Sequence, residues 1–255
     1  MRPVKQIGVV MYSQSATSVA RSAIRSPILA DPRPTLKDLF AGQPVESFSA
    51  GEALIWEGDQ PGQIFDVLAG VLRVYKVLPD GRRAIIGFIY PGDVLGVSFR
   101  HRSLFTADAV TAVKVRRLSR GRFLSLVNES PDLQSQLFAL LCDKMSAAHD
   151  QMLLLGRKSA EERVVSFLLA IHHKCGEGAE IEVPMSRLDM ADYLGLTIET
   201  VSRMMTSLVR RGLIHATGRH RIALSKLGAL RDIAGRDEDE DDPRPAPARR
   251  AVWPN

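Results

Sequence analysis

A chain of 255 residues, 45% hydrophobic and 25% charged, has room for about two compact domains, and no apolar run in it approaches the ~18 residues of a membrane span. Its two cysteines, Cys142 and Cys175, form no C-x-x-C pair, which excludes a disulfide framework and argues against a cysteine-held zinc or iron–sulfur site. The formal net charge of +5 permits nucleic-acid binding, and its distribution is more informative: residues 157–231 carry twelve Lys or Arg against eight Asp or Glu, while acid gathers at Asp237 to Asp242.

Residues 1–34 are rich in Ser, Ala, Arg and Pro and read as a flexible arm, with Asp31 to Pro34 as the hinge into the folded part. The start of the chain lacks the continuous apolar core of a signal peptide, so a cytoplasmic location is expected. Thr35 is placed to cap a short helix ending at Phe40. From about Pro44 to Ser119, strand-sized apolar runs are punctuated by Gly51, Gly58, Gly62, Gly70, Gly81 and Gly92, the pattern of an all-β sandwich or barrel. Pro79-Asp80-Gly81 has the composition of a hairpin turn, proline presetting φ and glycine taking the positive value. A β-roll is therefore expected over residues 35–130, closing with a short helix from Gly121 to Asn128.

Pro131 opens a long helix, expected over residues 131–157. Leu133, Leu137, Leu141, Met145, Ala148, Met152 and Leu155 recur at spacings of three or four, one narrow seam that predicts pairing with a second copy of the chain. Residues 158–234 follow as a second domain. In it an amphipathic helix from Ser159 to Lys174 precedes a short strand from Glu180 to Val183. A hairpin within Leu213 to Leu224, turning through Thr217-Gly218-Arg219, would form a wing, and a last helix spans Lys226 to Ala234. Residues 235–255 read as a disordered acidic and proline-rich tail.

Between strand and wing lies Arg187 to Leu213. The first of two predicted helices carries Leu188, Ala191 and Leu194, and Gly195 breaks it. Thr197 is the N-cap of the second, and Ile198, Val201, Met205 and Leu208 form its inward stripe. Ala191 lets the two helices cross closely over a short turn. This is a helix-turn-helix pattern, whose second helix reads the major groove. Glu199, Ser202 and Arg203 lie off the apolar stripe on one helical face. Arg203 can donate twice to guanine, Glu199 can accept from a cytosine or adenine amino group, and Ser202 can meet a base edge or a thymine methyl. Phosphate contacts are expected from Ser186, Arg187, Thr197, Arg210, Arg219 and Arg221; Thr197 serves equally well as a cap alone, and Arg210 as a partner of the helix dipole.

The order of parts and the motif from Glu199 to Arg203, followed by LVRRGLI, resemble the bacterial transcription regulators that include the cyclic-AMP receptor protein and the fumarate–nitrate reduction regulator. Ser202 before Arg203, with Ile198 where the cyclic-AMP branch has a further arginine, is similar to the fumarate–nitrate branch, and within it the run MSRLDMADYLGLTIETVSR is similar to the FixK regulators of low-oxygen metabolism and nitrogen fixation. The resemblance implies an α+β fold: a cyclic-nucleotide-binding-like β-roll, a long dimerisation helix and a winged helix-turn-helix. It also implies a homodimer on inverted repeats of TTGAT-like half-sites, activation of transcription, and RNA polymerase as a partner. Two departures bear on control. No cysteine occurs in residues 1–35 to hold an iron–sulfur cluster, and Gly96 is followed by Val97 where nucleotide binders have glutamate. No cofactor and no metal is therefore expected. Three modes of control remain open: abundance alone, redox chemistry at Cys175 beside His172, His173 and Lys174, or another small ligand in the β-roll. A ligand-responsive regulator of the same fold with unrelated targets is the alternative reading, and no phosphate-binding loop, HExxH or nucleophile elbow suggests an enzyme.

Overall fold

The computed structural model describes residues 34–98, 100–176 and 178–235. The expected arm, apart from Pro34, and the expected tail, apart from Gly235, lie outside the described residues.

Eight strands form two four-stranded antiparallel sheets. The first sheet orders β1 (Val45–Phe48), β8 (Val113–Ser119), β3 (Gln63–Ala69) and β6 (Val94–Leu95). The second orders β2 (Ala53–Ile55), β7 (Thr106–Ala109), β4 (Leu72–Val77) and β5 (Arg83–Ile89). Alternation along the strands explains the layering: Leu72 and Val74 face inward to meet Phe65, Val67, Val113 and Val115 from the first sheet. Arg73 and Tyr75 therefore face outward. The expected Pro79 to Gly81 turn joins β4 to β5, with Gly81 at φ 83°.

A second core lies outside the first sheet. Phe40, at the end of a 3₁₀ turn (Asp38–Phe40), meets Phe123 and Val127 of α1 (Arg120–Asn128) and Leu133 and Leu137 of α2 (Pro131–Arg157). Helix α2 starts as its sequence dictates, Pro131 in the first turn behind the Ser130 cap. Its first turns are spent here: Leu137 is 8% exposed, whereas Phe138, one residue on, is 69% exposed. This corrects the expected seam. Leu133 and Leu137 belong to the interior of their own chain. The outward row is Phe138, Leu141, Met145, Ala148, Met152 and Leu155, all exposed and spaced alternately by three and four.

The third core belongs to the C-terminal part. Helix α3 (Ala160–Lys174) begins on a capping box in which Ser159 and Glu162 answer each other's backbone N–H groups, and it buries Val164, Val165, Phe167, Leu168 and Ile171. Around it lie α4 (Arg187–Leu194), α5 (Ile198–Arg210), α6 (Leu227–Ala234) and a three-stranded sheet ordered β10 (Ile214–Ala216), β11 (Arg221–Leu224), β9 (Glu180–Glu182). No helix among the described residues is long and apolar enough to cross a membrane.

Candidate nucleic-acid interface

Helix α4 is nucleated by a second capping box. Asp189 Nα–H donates to the Ser186 hydroxyl at 3.0 Å, and Asp189 Oδ2 accepts from the Ser186 backbone at 3.1 Å and from its hydroxyl at 2.7 Å. The helix ends at Gly195, which adopts φ 61°, ψ 40°; a Cβ there is disfavoured by the left-handed backbone itself. The guanidinium of Arg163 closes this end, donating to the carbonyls of Leu194 and Leu155 at 3.0 and 2.8 Å. Thr197 then caps α5, accepting from the Thr200 backbone at 3.2 Å.

Val201, Met205 and Leu208 of α5 are buried against Met190, Ala191 and Leu194 of α4. Two expected inward residues are not inward. Leu188 is 51% exposed and Ile198 is 41% exposed, each in the first turn of its helix. Met190 takes the core place assigned to Leu188.

With the stripe buried, Glu199, Ser202 and Arg203 stand on the opposite, exposed side of α5. Backbone N–H at the helix start, the Thr197 hydroxyl and the Arg203 charge hold the Glu199 carboxyl below its usual value, so near neutral pH it is an acceptor only. Arg210, Arg219 and Arg221 are exposed, the last two on the wing hairpin. Ser186 and Thr197 are exposed but engaged in capping. Arg187 differs: burial lowers its pKa, its Nη1 lies 3.1 Å from the Met190 sulfur, and it lines a groove with Met205, Val209, Ile214 and Ile222 between α5 and the wing. The geometry is a protruding polar helix flanked by a basic hairpin, the form of a major-groove reader.

The comparisons agree. Residues 162–233 match the Crp-like helix-turn-helix domain model and residues 45–130 the cyclic nucleotide-binding domain model. The nitrogen fixation regulation protein FixK of Bradyrhizobium diazoefficiens is 46% identical over 171 residues, 66% of this chain and 72% of that protein. The chain belongs to the Crp/Fnr family of transcription regulators, in its FixK-like branch. The transcriptional activatory protein AadR of Rhodopseudomonas palustris is 44% identical over 167 residues, 64% of this chain and 70% of that one. The structure of FixK2 from Bradyrhizobium japonicum aligns with a TM-score of 0.73 at 34% identity, covering 76% of this chain and 98% of that chain. As a member of this family the protein is a DNA-binding regulator of transcription.

Several residues that shape this regulator escaped the sequence reading. Phe138 heads the exposed row on α2, and the signal for it was its place in the three-and-four series. Arg73, Arg83, Asp108 and Asp192 join the β-roll to α4; a charge in a strand or on a short helix reads as solvent-facing, so only the fold reveals them. At Cys175, the C-cap of α3, the expected positive neighbourhood is diminished: Lys174 is paired with Asp93 at 2.6 Å and lies over the Tyr90 ring, and His172 is buried.

Proposed function

We propose that this FixK-like regulator works as a homodimer that reads an inverted repeat of TTGAT-like half-sites through Glu199, Ser202 and Arg203 and activates genes needed when oxygen is limiting, in the cytoplasm and in contact with RNA polymerase. The observation that carries the reading is the joint exposure of those three side chains on one face of α5 while Val201, Met205 and Leu208 anchor the other face. The row from Phe138 to Leu155 supports the dimer, since an apolar row this long along one helix has a mate of equal length in a second copy. Among its relatives, AadR is a transcriptional activatory protein and FixK a nitrogen fixation regulation protein.

The β-roll acts here without cyclic nucleotide or iron–sulfur cluster. Its cavity, about 300 Å³, is lined by Leu54, Trp56, Phe65, Leu104 and Phe105 among others, and Asp59 is the one charged side chain among the described residues of its wall. A carboxylate there repels a nucleotide phosphate instead of binding it. The same apolar wall favours, as a second reading, an uncharged apolar effector over a nucleotide. Fluorescence anisotropy with the purified protein tests both: tight binding to a TTGAT inverted repeat over a scrambled duplex, unchanged by added cyclic AMP, is expected. Equal affinity for repeat and scramble would refute the reading.

A further inference from the structure

The C-terminal part is joined to the rest by a very short link, Lys158 and Ser159, both with extended backbone. Such a link tethers the reading helix but does not aim it. Gln151 of α2 donates to the Tyr193 carbonyl at 2.9 Å and Arg163 spans Leu155 and Leu194, holding α4 beside the end of α2; its angle to the β-roll is set by side-chain contacts between α4 and the outer face of the β4–β5 hairpin. Cross-strand Asp108 grips Arg73 through two bonds, Nε at 2.7 Å and Nη2 at 3.0 Å, and so turns the remaining Nη1 toward α4, where it donates to Asp189 Oδ1 at 2.7 Å. Arg83 donates from Nη2 to the same Asp189 oxygen at 2.7 Å, and from Nη2 and Nε to Asp192 at 2.8 and 2.9 Å. The Tyr75 ring lies under both guanidinium groups. Asp189 thus has two duties: Oδ2 closes the capping box that starts α4, and Oδ1 receives both arginines.

Two further contacts prevent rotation about this point. Phe88 of β5 packs against both Phe167 of α3 and Tyr193 of α4, the three ring centroids forming a triangle 5.4 to 6.0 Å on a side. At the far end Lys174 of α3 reaches Asp93 in the turn after β5. Three separated contacts fix an orientation, where one would leave a hinge.

Charged networks of this kind are poor stabilisers. Desolvating two guanidinium and three carboxylate groups offsets most of what their attraction returns, and their best-attested use is to set register. In a dimer whose two reading helices must enter grooves about 34 Å apart, register means the distance and angle between heads.

We propose that the Arg73–Arg83–Asp189–Asp192 clamp is a spacing device: it holds each reading head at a fixed angle to the β-roll, so that the dimer accepts one half-site spacing and rejects its neighbours. The inference rests on the dimeric reading above. Its energetic basis is effective concentration. Once one head is bound, a head held in place presents its partner to the second half-site at high local concentration, and a freed head loses that advantage. Inserting one base pair turns the second half-site by roughly 35° about the duplex axis. A clamped dimer must strain to follow that turn; an unclamped one follows freely.

The test uses the full chain, with Arg83→Glu, Asp192→Arg and the double exchange, on three duplexes: an inverted repeat at its preferred spacing, the same repeat with one or two base pairs inserted, and a single half-site. Both residues are partly exposed, and thermal melts of each variant check folding. Each single variant is expected to keep wild-type affinity for the single half-site, to lose at least about tenfold on the preferred repeat, and to suffer less than wild type from the insertion. The double exchange re-forms the pair between positions 83 and 192 but not the bond to Asp189, and is expected to restore discrimination in part. A single variant that discriminates between spacings as wild type does overturns the proposal. So does one that loses the same factor on half-site and repeat, because that pattern marks damage to the head itself. If the wild-type protein gains nothing from a second half-site, the dimeric reading fails, and this inference with it.

Discussion

Arg203 stands exposed on α5 with Ser202 beside it and Glu199 one turn earlier. Replacing Arg203 with Ala is expected to cost about 1–3 kcal/mol on a matched palindrome and to relax the preference at its guanine, both read from gel-shift titrations on systematically altered sites. Arg219 belongs to a different kind of contact. Arg219→Ala is expected to weaken binding evenly across sequences and to reduce the slope of log affinity against log salt by about 1. At this scale the sequence was most informative where one helix generates its own pattern: positions i, i+3 and i+4 share a face whatever surrounds them, so the shared exposed face of Glu199, Ser202 and Arg203 was legible without a fold. Arg73 and Arg83 had no such pattern. Their partners Asp189 and Asp192 lie more than a hundred residues along the chain, in another domain, and no local spacing links them.

Helix α2 shows what periodicity can and cannot decide. Its extent and start followed from Pro131 and the apolar repeat, while the Ser130 cap emerged from the structure. Which apolar residues face home was not decidable, because the helix carries two adjoining stripes and period alone does not say what each meets. Leu133 and Leu137 complete the core under Phe40 and Phe123, while the row beginning at Phe138 is left outward. The two stripes are separable by experiment. Leu137→Ala is expected to destabilise the fold by about 2–5 kcal/mol and leave association intact. Met145→Glu is expected to do the reverse, giving a folded monomer. Sedimentation velocity and denaturant unfolding, run on both variants, distinguish the outcomes.

The whole molecule depends on the join between β-roll and reading head, and that join has a definite pH window. Burial by itself would raise the Asp189 carboxyl; hydrogen bonds from Ser186 and the charges of Arg73 and Arg83 outweigh it and hold the group below its usual value. A depressed carboxylate contributes stability fully above its unfolded pKa, about 3.9, and loses it as pH falls through the lower folded value. Tyr90 and Tyr193 at the same join are shifted upward, burial being the leading cause for each. Their contribution is present below about pH 10 and lost as pH rises beyond it. Unfolding midpoints are therefore expected to carry the full contribution of this join, with no pH dependence from it, between about pH 5 and 9 and to fall outside that range; a step near pH 6–7 that vanishes in Asp189→Asn would contradict it. The architecture was legible in the sequence because each element carried its own period and punctuation, but the join between domains was not, since it is built from residues that have no period in common. Arg163 gives the join a last property. One guanidinium serves the carboxyl ends of α2 and α4, so neither helix frays without withdrawing a donor from the other. Two domains that share a cap in this way melt together: a single calorimetric transition is expected for the native chain, and two for Arg163→Leu.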